Sequence, residues 1–124
     1  MPFALWSILI AAVLPLVWAS TAKAGVPHDN HRPREVMAGA DGYRQRANWA
    51  QQNAWEAFSP YAAAMIIAWV RKVPVAHLDV AAGVFISVRI AHGLCYVRDL
   101  ASARSLCWLA GMAVVVYLFV ASAV

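Results

Sequence analysis

Residues Arg46–Pro60 read RANWAQQNAWEAFSP and pass without a break into the apolar stretch Ala57–Val70. On a helix of 3.6 residues per turn, Arg46, Asn53, Glu56 and Pro60 recur at intervals of seven, three and four, which places them on one face. A polar stripe feeding directly into a bilayer-grade segment has two physical readings. It is an amphipathic stem ending among lipid headgroups, or it is the wall of a polar site between helices at the membrane surface. The rest of the chain favours the second, because a matching stripe lies further along.

Hydrophobic residues make up 63% of the 124 positions and charged residues 13%, the balance of a membrane protein. The length suits one domain, residues 1–124. The net charge of +4 comes from basic residues scattered between apolar runs. That scatter argues against a nucleic-acid surface and reports orientation across a bilayer. Cys95 and Cys107 sit inside apolar segments at a spacing that fits no metal motif and no disulfide framework. They read as buried free thiols.

Working outward, Phe3–Ala22 is free of charge and long enough to cross about 30 Å of hydrocarbon as a helix. Ala22-Lys23-Ala24 also resembles a signal-peptidase site. The absence of Lys or Arg from Met1–Leu5 and the length of the run favour a retained helix, with Trp6 and Trp18 as interfacial anchors. Residues 23–45 are polar. Within them Pro33 opens a short helix, and Asp41 caps a long helix over 43–70, roughly 40 Å in length. The turn at Arg71–Pro74 returns the chain antiparallel into a third long helix over 75–97. Arg98–Arg104 then connects, with Asp99 or Ser102 as cap, to a final uncharged helix over 105–124.

The expected fold is therefore an all-α membrane protein, an antiparallel bundle of four transmembrane helices. Lys23, Arg32, Arg34, Arg44, Arg46, Arg98 and Arg104 lie in or beside the first and third loops, against only Arg71 and Lys72 in the second. That bias puts the first and third loops in the cytoplasm.

Arg89, His92 and Tyr96 recur at three and four and form the second polar stripe. In this topology it faces the first stripe at the cytoplasmic end. A lone charge at membrane depth costs at least about 2.5–3.5 kcal/mol on insertion scales, so Arg89 needs a partner, and Glu56 is the acidic candidate. Such a pair is either a structural tie or part of a pocket lined by Arg46, Gln51, Asn53, Glu56, Arg89, His92 and Tyr96. The pocket would suit a small zwitterion: arginines for carboxylates, Glu56 for an amino group, amides for peptide groups. Tyr96 or a nearby arginine, with Arg89 the other catalytic candidate, would steady a thiolate. His28 and His31 flanking Asp29 read as a solvated loop before a metal site, and no metal is expected. His77 and Asp79 read as an interfacial cap for the third long helix. The six tryptophans read as interface anchors and lipid-facing packing.

The segment Arg46-Ala47…Ala50-Gln51-Gln52-Asn53-Ala54-Trp55-Glu56…Pro60 resembles the signature of the MAPEG family, membrane-associated proteins of eicosanoid and glutathione metabolism. Arg89-Ile90-Ala91-His92…Tyr96 is similar to the family's third-helix motif, Ala103-Arg104-Ser105 to the arginine opening its fourth helix, and Asp29-Asn30…Pro33-Arg34 to its bacterial branch. The resemblance implies a homotrimer in a bacterial inner membrane. It also implies glutathione as co-substrate near the cytoplasmic face, with Gln51, Asn53, Glu56, Arg89 and Tyr96 as contacts, and lipophilic small molecules as second substrates. Trp49 stands where catalytic members carry an arginine, and Arg46, one turn earlier, is the substitute it suggests. Two other functions fit the residues: a non-catalytic membrane protein whose polar cluster locks helices, and a small proton-coupled transporter.

Overall fold

The computed structural model describes residues 1–27 and 29–124; His28, half of the His28/His31 pair, lies outside the described residues. Five helices follow one another: α1 (Phe3–Lys23), α2 (Pro33–Ala38), α3 (Gly42–Val70), α4 (Val75–Val97) and α5 (Ala101–Ala123). Among the described residues there is no strand. Helices α1, α4 and α5 are each long and apolar enough to cross a membrane. Helix α3 is the longest at 29 residues, but its first half carries the polar stripe. The starts of α1 and α4 and the ends of α3 and α5 share one end of the bundle. The polar stripes share the other, which we call the site end.

A helix leaves its last carbonyls without donors, and hydrocarbon offers none. Three arginines supply them from neighbouring helices. Arg44 Nε donates to the Ala22 carbonyl at 2.8 Å, closing α1. Arg46 Nε donates to the Val97 carbonyl at 3.0 Å, closing α4. Arg71 Nε donates to the Ser122 carbonyl at 3.0 Å, closing α5. At the opposite polarity, the Asp79 carboxylate accepts the Ala4 N–H at 2.7 Å and caps the start of α1, not that of its own helix. Each contact adds a helix-dipole contribution of about 0.3–1 kcal/mol.

Two turns depart from the expected caps. α3 and α4 both end in Schellman turns: Val73 N–H donates to Ala68 O and Leu100 N–H to Cys95 O. Lys72 and Asp99 stand in the left-handed position (φ 61° and 60°) where glycine is usual. The second turn is so tight that α5 starts at Ala101 and not at Ser105. Leu100 becomes its N-cap, and no side chain caps it. Asp41 occupies the N-cap of α3 without a side-chain hydrogen bond.

The core is built from small residues that let helix backbones approach, including Ala4, Ala11, Ala64, Ala68, Ala81 and Ala82. Tyr61 stacks on Phe85 at 3.7 Å between ring centres. Its hydroxyl meets Ser7 Oγ at 2.5 Å, and Ser7 in turn donates to the Ala4 carbonyl. Trp18 is not an interfacial anchor. It is buried against Ala50, Ala54, Tyr96 and Val97, and its indole fills the notch left by Gly93, where any Cβ would overlap the ring. The other five tryptophans, Trp6, Trp49, Trp55, Trp69 and Trp108, are exposed.

Candidate functional site

Three helices converge at the site end. α3 brings Trp49, Gln52, Asn53 and Glu56; α4 brings Arg89, His92 and Tyr96; α5 brings Arg104, Trp108 and Gly111. Arg89 is 4% exposed, and its methylene stem lies over Gly111, whose missing side chain makes the room. Burial at this depth requires an acceptor. The guanidinium Nη2 donates to Asn53 Oδ1 at 2.8 Å, and Asn53 Nδ2 faces Glu56 Oε2 at 3.4 Å. The expected direct Arg89–Glu56 pair is thus a relay. Asn53, one turn before Glu56 on the same helix face, interposes its amide and accepts on one side while donating on the other.

Two cavities share the Asn53–Glu56 wall. One, of about 180 Å³, runs inward past Arg89, Trp108 and Gly111 to Pro60 and Phe85. The other, of about 330 Å³, opens between Trp49, Gln52 and Tyr96. Pro60 adds a polar feature of its own. It has no N–H for the Glu56 carbonyl four residues back, so that carbonyl lacks its helical donor beside the cavity. His92 is 2% exposed, meets Tyr96 edge-on at 5.6 Å, and has an Nδ1 with no hydrogen-bond partner among the described residues. Arg104 places its guanidinium 4.5 Å from the Tyr96 ring centre.

Of the candidates drawn from the sequence, Asn53, Glu56, Arg89, His92 and Tyr96 are brought together. Arg46 and Gln51 are not. Arg46 is committed to the α4 carbonyl terminus, and Trp49 stands near the Tyr96 ring at 6.4 Å instead of an arginine. Gln51 is two residues from Asn53, hence about 200° around the helix, and lines a separate groove with Lys23, Arg34 and Asn48. Arg104, Gln52, Trp108 and Gly111 are the site residues that spacing alone missed. Arg104 was visible only through the motif Ala103-Arg104-Ser105. Cys95 and Cys107 are free and half-buried rather than buried.

Fold and site together define an integral membrane protein: a helical bundle with several spans and a buried arginine at the wall of a polar cavity. The family comparison goes one step further. The chain belongs to the MAPEG family, whose model matches residues 3–124, essentially its whole length. Comparison with the curated proteins and with the solved structures gave no match.

Proposed function

We propose that this protein is a glutathione-dependent transferase or peroxidase that acts on lipophilic substrates drawn from the bilayer. The observation that carries the proposal is the Asn53 relay, which presents Arg89 and Glu56 to the same cavity wall in a MAPEG chain. A cation and a carboxylate bridged by an amide complement the carboxylates, amino group and peptide bonds of a tripeptide. Glu56 takes the amino group, Arg89 a carboxylate, and Asn53 with Gln52 orients the peptide groups. Tyr96 donates its hydroxyl proton towards the sulfur, and Arg104, stacked on that ring, adds positive charge where the thiolate develops.

In this proposal α3 is the fourth span, crossing through its apolar half from Ala57 onward, and the subunits assemble as a homotrimer. The loops before α3 and after α4 face the cytoplasm of a bacterial inner membrane, following the charge bias. Isothermal titration in detergent tests the site, comparing wild type with Glu56→Ala and Arg89→Ala. Binding by wild type and its loss in both variants is expected; no heat at millimolar glutathione ends the proposal. The Arg89–Asn53 bond also favours a second reading, in which the cluster only locks helices. Under it the double variant Arg89→Met/Glu56→Leu folds and keeps every measurable activity, since a matched apolar replacement of a buried polar pair can be neutral.

A further inference from the structure

The first polar connection folds into a groove separate from the two cavities of the proposed glutathione site. We propose that this groove is a binding site for the phosphate headgroup of an anionic phospholipid of the surrounding membrane.

The groove forms where the end of α1, the short helix α2 and the first turns of α3 meet. Met37 of α2 is buried against Ala22 on α1 and Ala47 on α3. The bond from Arg44 to the Ala22 carbonyl ties α3 to α1 at the same junction. With α2 held there, Arg34, three residues before Met37, lines the groove together with Lys23, the last residue of α1. On α3, Gln45, Asn48 and Gln51 recur at intervals of three and line it from one side. Its volume is about 540 Å³, within the range of small-molecule sites, roughly 300–1,000 Å³.

No Asp or Glu lines this groove, and among the described residues Lys23 and Arg34 have no ion-pair partner. Arg32, next to Arg34 in the chain, is by contrast paired with Glu35. Two unneutralised cations on one concave surface focus a positive field into it. Asn48 lines the groove, is only 9% exposed, and makes no side-chain hydrogen bond among the described residues. A buried amide left without a partner is a point where a ligand completes the hydrogen bonding. The Gln45 and Gln51 amides each donate and accept, which suits a phosphate ester and the hydroxyl groups of a polyol headgroup.

Depth selects the lipid. Lys23 ends a helix long and apolar enough to cross the membrane, so its ammonium stands where hydrocarbon gives way to headgroups. Trp49, exposed where it lines the groove, is a residue type that settles at that same level. The bilayer itself delivers a phosphate on acyl chains to this depth. A choline or ethanolamine headgroup would bring its own cation against Lys23 and Arg34. The pair therefore discriminates in favour of a net-negative headgroup such as phosphatidylglycerol.

The test uses the full-length protein in detergent without glutathione, so its outcome is independent of tripeptide binding. Native mass spectrometry follows the protein with added dioleoyl phosphatidylglycerol or dioleoyl phosphatidylcholine. Phosphatidylglycerol is expected to stay bound, at a concentration on the order of tenfold lower than phosphatidylcholine requires. Lys23→Gln/Arg34→Gln is expected to abolish that preference. Asn48→Leu is expected to weaken phosphatidylglycerol with net charge untouched. Lys72→Gln/Arg98→Gln removes the same charge from exposed positions outside the groove and is expected to keep the preference. Equal retention of the two lipids by wild type, or equal loss in the two double variants, overturns the proposal. Glycerol 3-phosphate bound as tightly as the lipid would assign the groove to a soluble phosphate ester and overturn the lipid. Displacement by millimolar glutathione would merge the groove with the tripeptide site and overturn it as well.

Discussion

Two polar clusters of this bundle are built to opposite specifications. Ser7 and Tyr61 lie in the middle of the core: Tyr61 gives its proton to Ser7, Ser7 gives its own to the Ala4 carbonyl, and Phe85 stacks over the ring. Every donor there has an acceptor. Arg89, Asn53 and Glu56 lie at the site end with cavities on either side. His92 nearby keeps a nitrogen without a partner, and the Glu56 carbonyl lacks its helical donor. A closed network holds helices together. An open one, in the same membrane protein, has valences left over for a guest.

That contrast can be broken most forcefully through the packing beneath it. Gly93→Leu must expel the Trp18 ring from its notch, a loss on the scale of a buried tryptophan, ~3–5 kcal/mol. The expected readout is a collapse of the folded fraction in a denaturant titration, with both clusters lost together. Asn53→Leu attacks the open cluster alone. It strands Arg89 without its acceptor and should cost about 3 kcal/mol, while glutathione binding measured by calorimetry disappears. Tyr61→Phe attacks the closed pair and should cost only about 1 kcal/mol, because Ser7 keeps its bond to Ala4. Binding is expected to stay unchanged, and a change would erase the distinction between the clusters. Arg46→Lys is the mildest: loss of the Nε contact to Val97 should cost ~0.3–1 kcal/mol. Equal glutathione affinity in that variant would confirm Arg46 as a helix cap, whereas a weakened affinity would return it to the site.

Much of this was legible in the chain. The boundaries of α4 fell at Val75 and Val97 as the turn residues implied, and α3 began one residue before Tyr43. Asn53, Glu56, Arg89, His92 and Tyr96 share faces because helical phase is a local property. Gln51 failed by that same phase, since two residues rotate a side chain to the far side. Arg46 had the right phase but a long side chain whose destination, the end of α4, is set by tertiary packing. The early start of α5 came from a turn in which Asp99 takes a conformation normally left to glycine, for which composition gives no warning. Trp18 was misplaced for a similar reason: its seat is a single missing side chain on a helix seventy-five positions further along.

The Trp18 seat gives α1 a role out of proportion to its chemistry. α1 lines neither cavity that shares the Asn53–Glu56 wall, yet its Trp18 belongs to the cluster against which Tyr96, the ring under Arg104, is packed. Because the Trp18 ring fills the notch at Gly93 on α4, the axial position of α1 is fixed to the helix that carries Arg89, His92 and Tyr96. A helix that offers the candidate site no side chain thereby sets the register of one that does.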